Sequence, residues 1–123
     1  MTQTLYQKGV RFENRVKKYL ESVGYYVIRQ GKSAFPDLIA VMTANYVPFN
    51  SEEGKVDSVT PVRFFECKNW AKVPSNPILQ LSKEEIQKFK NMKQLMPLAR
   101  CFLAYNDIPK GKKYGKIRIV EVF

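Results

Sequence analysis

Two short apolar runs, each carrying charge at one end, constrain the fold of this chain more than anything else in it. The first is Leu38-Ile39-Ala40-Val41-Met42, entered through Phe35-Pro36-Asp37; the second is Val62-Arg63-Phe64-Phe65-Glu66-Cys67-Lys68. Both are rich in β-branched or aromatic residues and bounded by turn formers, so both read as strands. Residues two apart on a strand share a face. Glu66 and Lys68 therefore project together, and Cys67 points the other way with Phe65. Pairing the two strands brings a carboxylate from each, and a lysine, to one end of a sheet. Two carboxylates suit a hard cation such as magnesium or manganese. An adjacent ammonium can orient a water and steady the charge that builds on phosphate. The plainer readings are a solvated Glu-x-Lys ion-pair face and a Pro-Asp turn. Placement favours chemistry, because charges beside Leu38, Ile39, Phe64 and Phe65 are costly to bury unless paired or bound to metal.

Charge balance and missing residue types narrow that chemistry. The 123 residues, sufficient for a single domain with a core, contain 21 Lys and Arg against 11 Asp and Glu, for a net charge of +10. Such an excess favours a polyanionic partner, nucleic acid first and an acidic membrane second. There is no histidine, which excludes Ser-His-Asp and Cys-His catalysis, histidine general bases and histidine zinc sites. A phosphate-cleaving enzyme of this composition has carboxylates, lysine and a hard metal to work with. Cys67 and Cys101 both fall in expected strands and read as small buried hydrophobes in a reducing compartment rather than as a disulfide. No stretch has the length and apolarity of a membrane span, and none resembles a secretion signal. The expectation is a cytoplasmic, nucleoid-associated protein that does not engage a membrane.

The rest of the chain supplies a frame for those strands. Phe12, Val16, Tyr19, Leu20 and Val23 form one helical stripe, with Thr4-Leu5-Tyr6-Gln7 as a candidate cap and Gly24 as the stop. Glu13 lies only ~20° from Leu20 around the axis, at the edge of the stripe. Its carboxylate faces the sheet, or else pairs with Lys17 one turn on. Tyr25 to Arg29 is a strand. Gln30 to Ala34 is a polar loop that hangs Arg29, Lys32 and Ser33 near Asp37, either as phosphate contacts or as ordinary solvated residues. Residues 43–61 read as a long hairpin connection. Trp70 and Lys72 follow in a loop, Trp70 being a nucleic-acid contact or a packing anchor. Ser82-Lys83-Glu84-Glu85 is a capping box opening a helix with Ile86, Phe89 and Met96 inside and Pro97 at its end. Arg100 to Tyr105 and Lys116 to Phe123 are the last strands, joined by a turn carrying Lys110, Lys112 and Lys113. The last strand is partly apolar on both faces, which suggests cover on both sides, including from a second subunit. The order αβββαββ gives an α/β fold with a central mixed five-stranded sheet flanked by helices, at least one neighbouring strand pair being parallel.

With these residues in view, the chain resembles the PD-(D/E)xK nuclease superfamily and, more narrowly, the archaeal-type Holliday-junction resolvases. The matching pieces are Lys8-Gly9 followed by Glu13, Gly24-Tyr25-Tyr26-Val27-Ile28-Arg29, Ser33, Pro36-Asp37-Leu38-Ile39-Ala40 and Glu66-Cys67-Lys68. The resemblance implies a restriction-endonuclease-like core and a magnesium ion, replaceable by manganese. Asp37, Glu66 and the backbone carbonyl of Cys67 would hold it, with Glu13 helping directly or through water. It further implies that Lys68 positions or activates the attacking water and that Ser33 lies close to the scissile phosphate. Arg11, Arg15, Arg29, Lys32 and Lys72 would contact DNA. The partner implied is a four-way junction or other branched DNA, cut by a homodimer. The sequence departs from the family in two places. Asn14 stands where an arginine is common, with Arg15 as the substitute, and the 43–61 connection is longer than the family's short turn.

Three functions therefore stand against one another: a junction-resolving endonuclease, a nuclease of the same fold acting on restriction-like, repair or flap substrates, and a basic nucleic-acid-binding domain whose acidic cluster is structural.

Overall fold

A computed structural model of the protein describes residues 5–31, 35–43, 62–70 and 72–122. The first helix, α1, spans Leu5–Ser22 and buries Phe12, Val16 and Leu20 at i, i+4 and i+8, with Tyr19 and Val23 packed alongside. It stops at Gly24, whose φ of 105° is cheap only for a residue without Cβ. The Gly24 N–H there closes the last turn onto the Glu21 carbonyl at 3.1 Å.

The chain then runs through β1 (Tyr25–Arg29), β2 (Leu38–Met42) and β3 (Val62–Lys68). A short 3-10 helix over Pro77–Gln80 and the second helix, α2 (Lys83–Leu95), cross over to β4 (Arg100–Asp107), which turns back into β5 (Lys116–Glu121). The five strands lie in sequence order, β1-β2-β3-β4-β5. β3 and β4 are parallel, as a crossover through a helix requires, and the other neighbours are antiparallel. Arg29 lies opposite Leu38, Leu38 opposite Phe65, and Lys68 level with Tyr105. The ends of β1, β3 and β4 and the start of β2 thus share one rim of the sheet.

The sheet separates two apolar layers. On one face α1 packs onto Tyr25, Val27, Leu38, Ala40, Phe65, Phe102 and Ala104, with Phe65 and Phe102 stacked at 5.1 Å. Arg63 is fully buried in this layer, its guanidinium 5.9 Å from the Tyr25 ring and 5.8 Å from the Phe102 ring. Apolar rings compensate part of the cost of taking a cation out of water. On the other face α2 buries Phe89 among Phe64, Leu81, Ala99, Cys101 and Leu103.

Several expectations change here. Met96 is 40% exposed, because it is the C-cap, outside the helical backbone; Met92 takes the inner place. β4 runs on to Asp107, and β5 ends at Glu121. Both apolar faces of β5 are partly covered within the chain: Ile117 and Ile119 pack against the α1 layer and Val120 and Val122 against the α2 layer. Trp70 packs at the edge of the α2 layer, tilted against Tyr105 at 6.0 Å. Cys67 and Cys101 are free thiols. Among the described residues no helix is long and apolar enough to cross a membrane. Thr4, Lys32, Ser33 and the 44–61 connection lie outside the described residues.

Candidate active site

Strand pairing delivers Asp37 and Glu66 to the same place. The Asp37 carboxylate accepts a hydrogen bond from the Cys67 N–H at 2.8 Å, and the Asp37 N–H donates to Glu66 Oε1 at 3.3 Å. Each residue's backbone thus holds, or is held by, the neighbouring strand's charge. Gln30 fixes the approach. Its N–H donates to the Asp37 carbonyl at 2.9 Å and its side-chain amide to the Pro36 carbonyl at 2.8 Å. Phe35 packs edge-on against Phe89 at 4.7 Å, tying the same turn to α2. Gln30 carries no motif, and its role was not readable in the sequence.

Lys68 shares Glu66's face and lies 3.9 Å from Glu66 Oε2. Its nearer partner is Glu85, at 2.5 Å. Sequence reasoning saw Glu85 only as the far half of a capping box, and that box is present: Glu85 Oε1 accepts from the Ser82 N–H at 2.9 Å. The second oxygen is free to reach across to β3. The signal that could have found it is positional, since the crossover must lay the start of α2 over the face that bears Glu66 and Lys68.

The electrostatics follow from this crowding. Glu66 is 8% exposed. Burial, then a hydrogen bond with Glu85 and the charge of Asp37, pushes its carboxyl up to about 10. Burial pushes Glu85 up as well, but hydrogen bonds with Glu66, Lys68 and the Ser82 backbone outweigh it and hold Glu85 down at about 2. Of the two, the more deeply buried Glu66 is the weaker acid. Burial and the neighbouring carboxylates also push the Cys67 thiol well up, so it is no thiolate ligand or nucleophile.

Glu13 is placed differently. Its carboxylate takes a hydrogen bond from Arg29 Nε at 3.0 Å, while Lys17 pairs with Glu21, also at 3.0 Å. Burial and the charge of Asp37 raise the Glu13 pKa, and Arg29 pulls it back. Glu13 is thus close enough to feel Asp37 but is held by a cation of its own. Arg29, expected on DNA, gives its Nε–H to Glu13. Arg15 reaches the Gly115 carbonyl at 2.9 Å and Asn106 Oδ1 at 3.4 Å, tethering α1 to the β4–β5 connection. Arg11 and Lys72 are exposed.

Among the described residues no three His, Cys, Asp or Glu side chains gather closely enough to hold a metal ion as they stand. The chemistry of the donors nevertheless fits a hard cation. They are carboxylates, and Asp37 and Glu66 are held side by side by the backbone of the paired strands.

The fold is that of the restriction-endonuclease-like α/β proteins: a mixed five-stranded sheet between two helices. No protein-family model matches the chain, and no curated protein does. Among solved structures the chain is similar to Hjc of Archaeoglobus fulgidus, a Holliday junction resolvase from an archaeal hyperthermophile. The TM-score is 0.61 and the identity 22%, over 94% of this chain and 73% of that one. Likeness at this identity speaks to the fold, and it agrees with the archaeal-type resemblance carried by the motifs.

Proposed function

We propose that the protein is a metal-dependent endonuclease that resolves four-way DNA junctions by phosphodiester hydrolysis. The observation that carries this reading is the meeting of Asp37, Glu66 and Lys68 at one sheet end, on a fold like that of a junction resolvase. The net charge of +10 supports DNA as the partner. Asp37 and Glu66 would hold magnesium or manganese, with the Cys67 carbonyl, and with Glu13 directly or through water. When bound, such an ion lowers the pKa of a water and draws charge from the phosphate. Lys68 orients that water and stabilises the charge building on phosphate. Glu85 holds Lys68 in place, and Gln30 holds Asp37. Ser33 would lie beside the scissile phosphate, and Arg11, Arg15, Arg29, Lys32 and Lys72 would contact the DNA backbone. The working unit proposed is a homodimer in the cytoplasm, as the resemblance implies.

The test is a panel of four-way junction, flap, nicked and linear duplex DNA with magnesium, run beside Asp37→Ala. Junction cleavage by the wild type, lost in Asp37→Ala with junction binding retained, is the expected result. Equal cutting of every substrate sinks the resolvase reading and leaves a nuclease of other specificity. No cleavage with any divalent metal leaves a structural acidic cluster.

A further inference from the structure

The β4–β5 connection is not used by the mechanism above, yet it is the most basic stretch of the described chain. Residues 110–116 read Lys-Gly-Lys-Lys-Tyr-Gly-Lys. Lys110, Lys112, Lys113 and Lys116 are all exposed, and Tyr114 is 79% exposed. The nearest acidic side chain along the chain, Asp107, is already paired with Arg118 at 3.0 Å. An aromatic ring left in water is ordinary where it only decorates a surface. Here it stands among lysines, with Lys113 Nζ 5.8 Å from the ring centre.

The turn is also held in shape. The Lys112 N–H closes onto the Pro109 carbonyl at 3.0 Å, and Gly111 takes the left-handed φ of 79° that the turn needs. At Gly115 the backbone approaches so closely that a Cβ would lie 2.5 Å from Asn106 Oδ1 and 2.6 Å from the Asp107 carbonyl oxygen. Arg15 then clamps the Gly115 carbonyl from α1. Tyr114 therefore projects from a braced base. β4 is parallel to β3 and level with it at Lys68 and Tyr105, so the turn leaves the same rim that carries Glu66 and Lys68. At ~3.3 Å per residue it reaches roughly 15 Å beyond that level, the rise of about four nucleotides at ~3.4 Å each.

We propose that this connection is a second nucleic-acid contact, which grips a strand a few nucleotides from the catalytic site: the lysines on phosphates, the Tyr114 ring stacked on an unpaired base. The choice of occupant rests on charge and on the aromatic: stacking platforms interleaved with cations bind single strands, whereas bases inside a duplex offer no free face. The inference rests on the reading of DNA as partner and adds a preference for DNA with unpaired nucleotides near the cut.

The test is binding by fluorescence anisotropy in EDTA, without cleavage, to a blunt duplex and to the same duplex with a single-stranded extension. Tyr114→Ala, Tyr114→Phe and the triple Lys110→Ala/Lys112→Ala/Lys113→Ala variant are compared with wild type, each with a thermal melt to show that it folds. Tyr114→Ala should weaken binding to the extended duplex about tenfold and to the blunt duplex less than about twofold, with Tyr114→Phe close to wild type. The triple variant should lower the slope of log affinity against log salt by about 2 to 3. Wild-type binding with unchanged affinities and slope in folded variants overturns this inference alone. Failure of the wild type to bind any DNA at low salt overturns the DNA reading as well.

Discussion

On the α1 side of the sheet the helix drives Phe12, Val16 and Leu20 into a continuous apolar layer, and its one carboxylate near the site, Glu13, is neutralised by Arg29. On the α2 side the helix is anchored by Phe89, with Ile86 and Met92 partly covered, and its carboxylate Glu85 enters the site itself, against Glu66 and Lys68. Asp37 lies between them: its charge raises the pKa of Glu13 from one layer and of Glu66 from the other. The difference is instructive. The sealed layer fixes the backbone from which the functional groups hang. The other layer gives up apolar contact to keep a crowded carboxyl pair and an ammonium together, an arrangement stable only while shared protons, hydrogen bonds or a cation compensate the charge.

The largest expected effect separates the two carboxylates that flank Asp37. Glu66→Ala should lower single-turnover junction cleavage by about a thousandfold, the scale of losing a principal electrostatic element of a site. Glu13→Ala should cost much less, because Glu13 acts at one remove and is already paired. Comparable losses in both would mean that Glu13 leaves Arg29 when substrate binds, and the contrast between the layers would fail. Next comes Glu85→Ala, expected to reduce kcat about a hundredfold with KM little changed, since it frees Lys68 rather than removing a DNA contact. Glu85→Gln should recover part of that, because an amide still accepts from the Ser82 N–H and can bond Glu66. A Glu85→Ala enzyme with wild-type kcat would reduce that residue to a helix cap.

The last effect is on stability rather than on rate. Between the ordinary value of 4.5 and about 10 the folded chain keeps a proton on Glu66 that the unfolded chain has released. Stability therefore falls as pH rises through that window. Glu85, held down at about 2, works in the opposite sense only below about 4.5. Thermal melts in EDTA should show Tm declining from pH 6 to pH 9, with a flatter profile in Glu66→Gln. Magnesium should lessen the decline by replacing the proton. An equal slope in wild type and Glu66→Gln would place the titrating group elsewhere.

Much of this was legible before any fold was seen. The periodicity of Phe12, Val16 and Leu20, the alternation through Glu66, Cys67 and Lys68, and the Ser82 capping box are local patterns, and local patterns follow from backbone geometry alone. They set the element order, the parallel β3–β4 pair and the approach of Asp37 to Glu66, because a strand fixes which side chains share a face. Ion-pair partners were not legible. The sequence offered Lys17, one turn on, as the partner of Glu13, and Glu85 had a complete local explanation as a cap. Only the tertiary structure could give Arg29 to Glu13 and turn the second oxygen of Glu85 toward Lys68. A charge takes whichever partner the packing of distant elements brings closest, and burial, which no single segment possesses, decides how strongly it must take one.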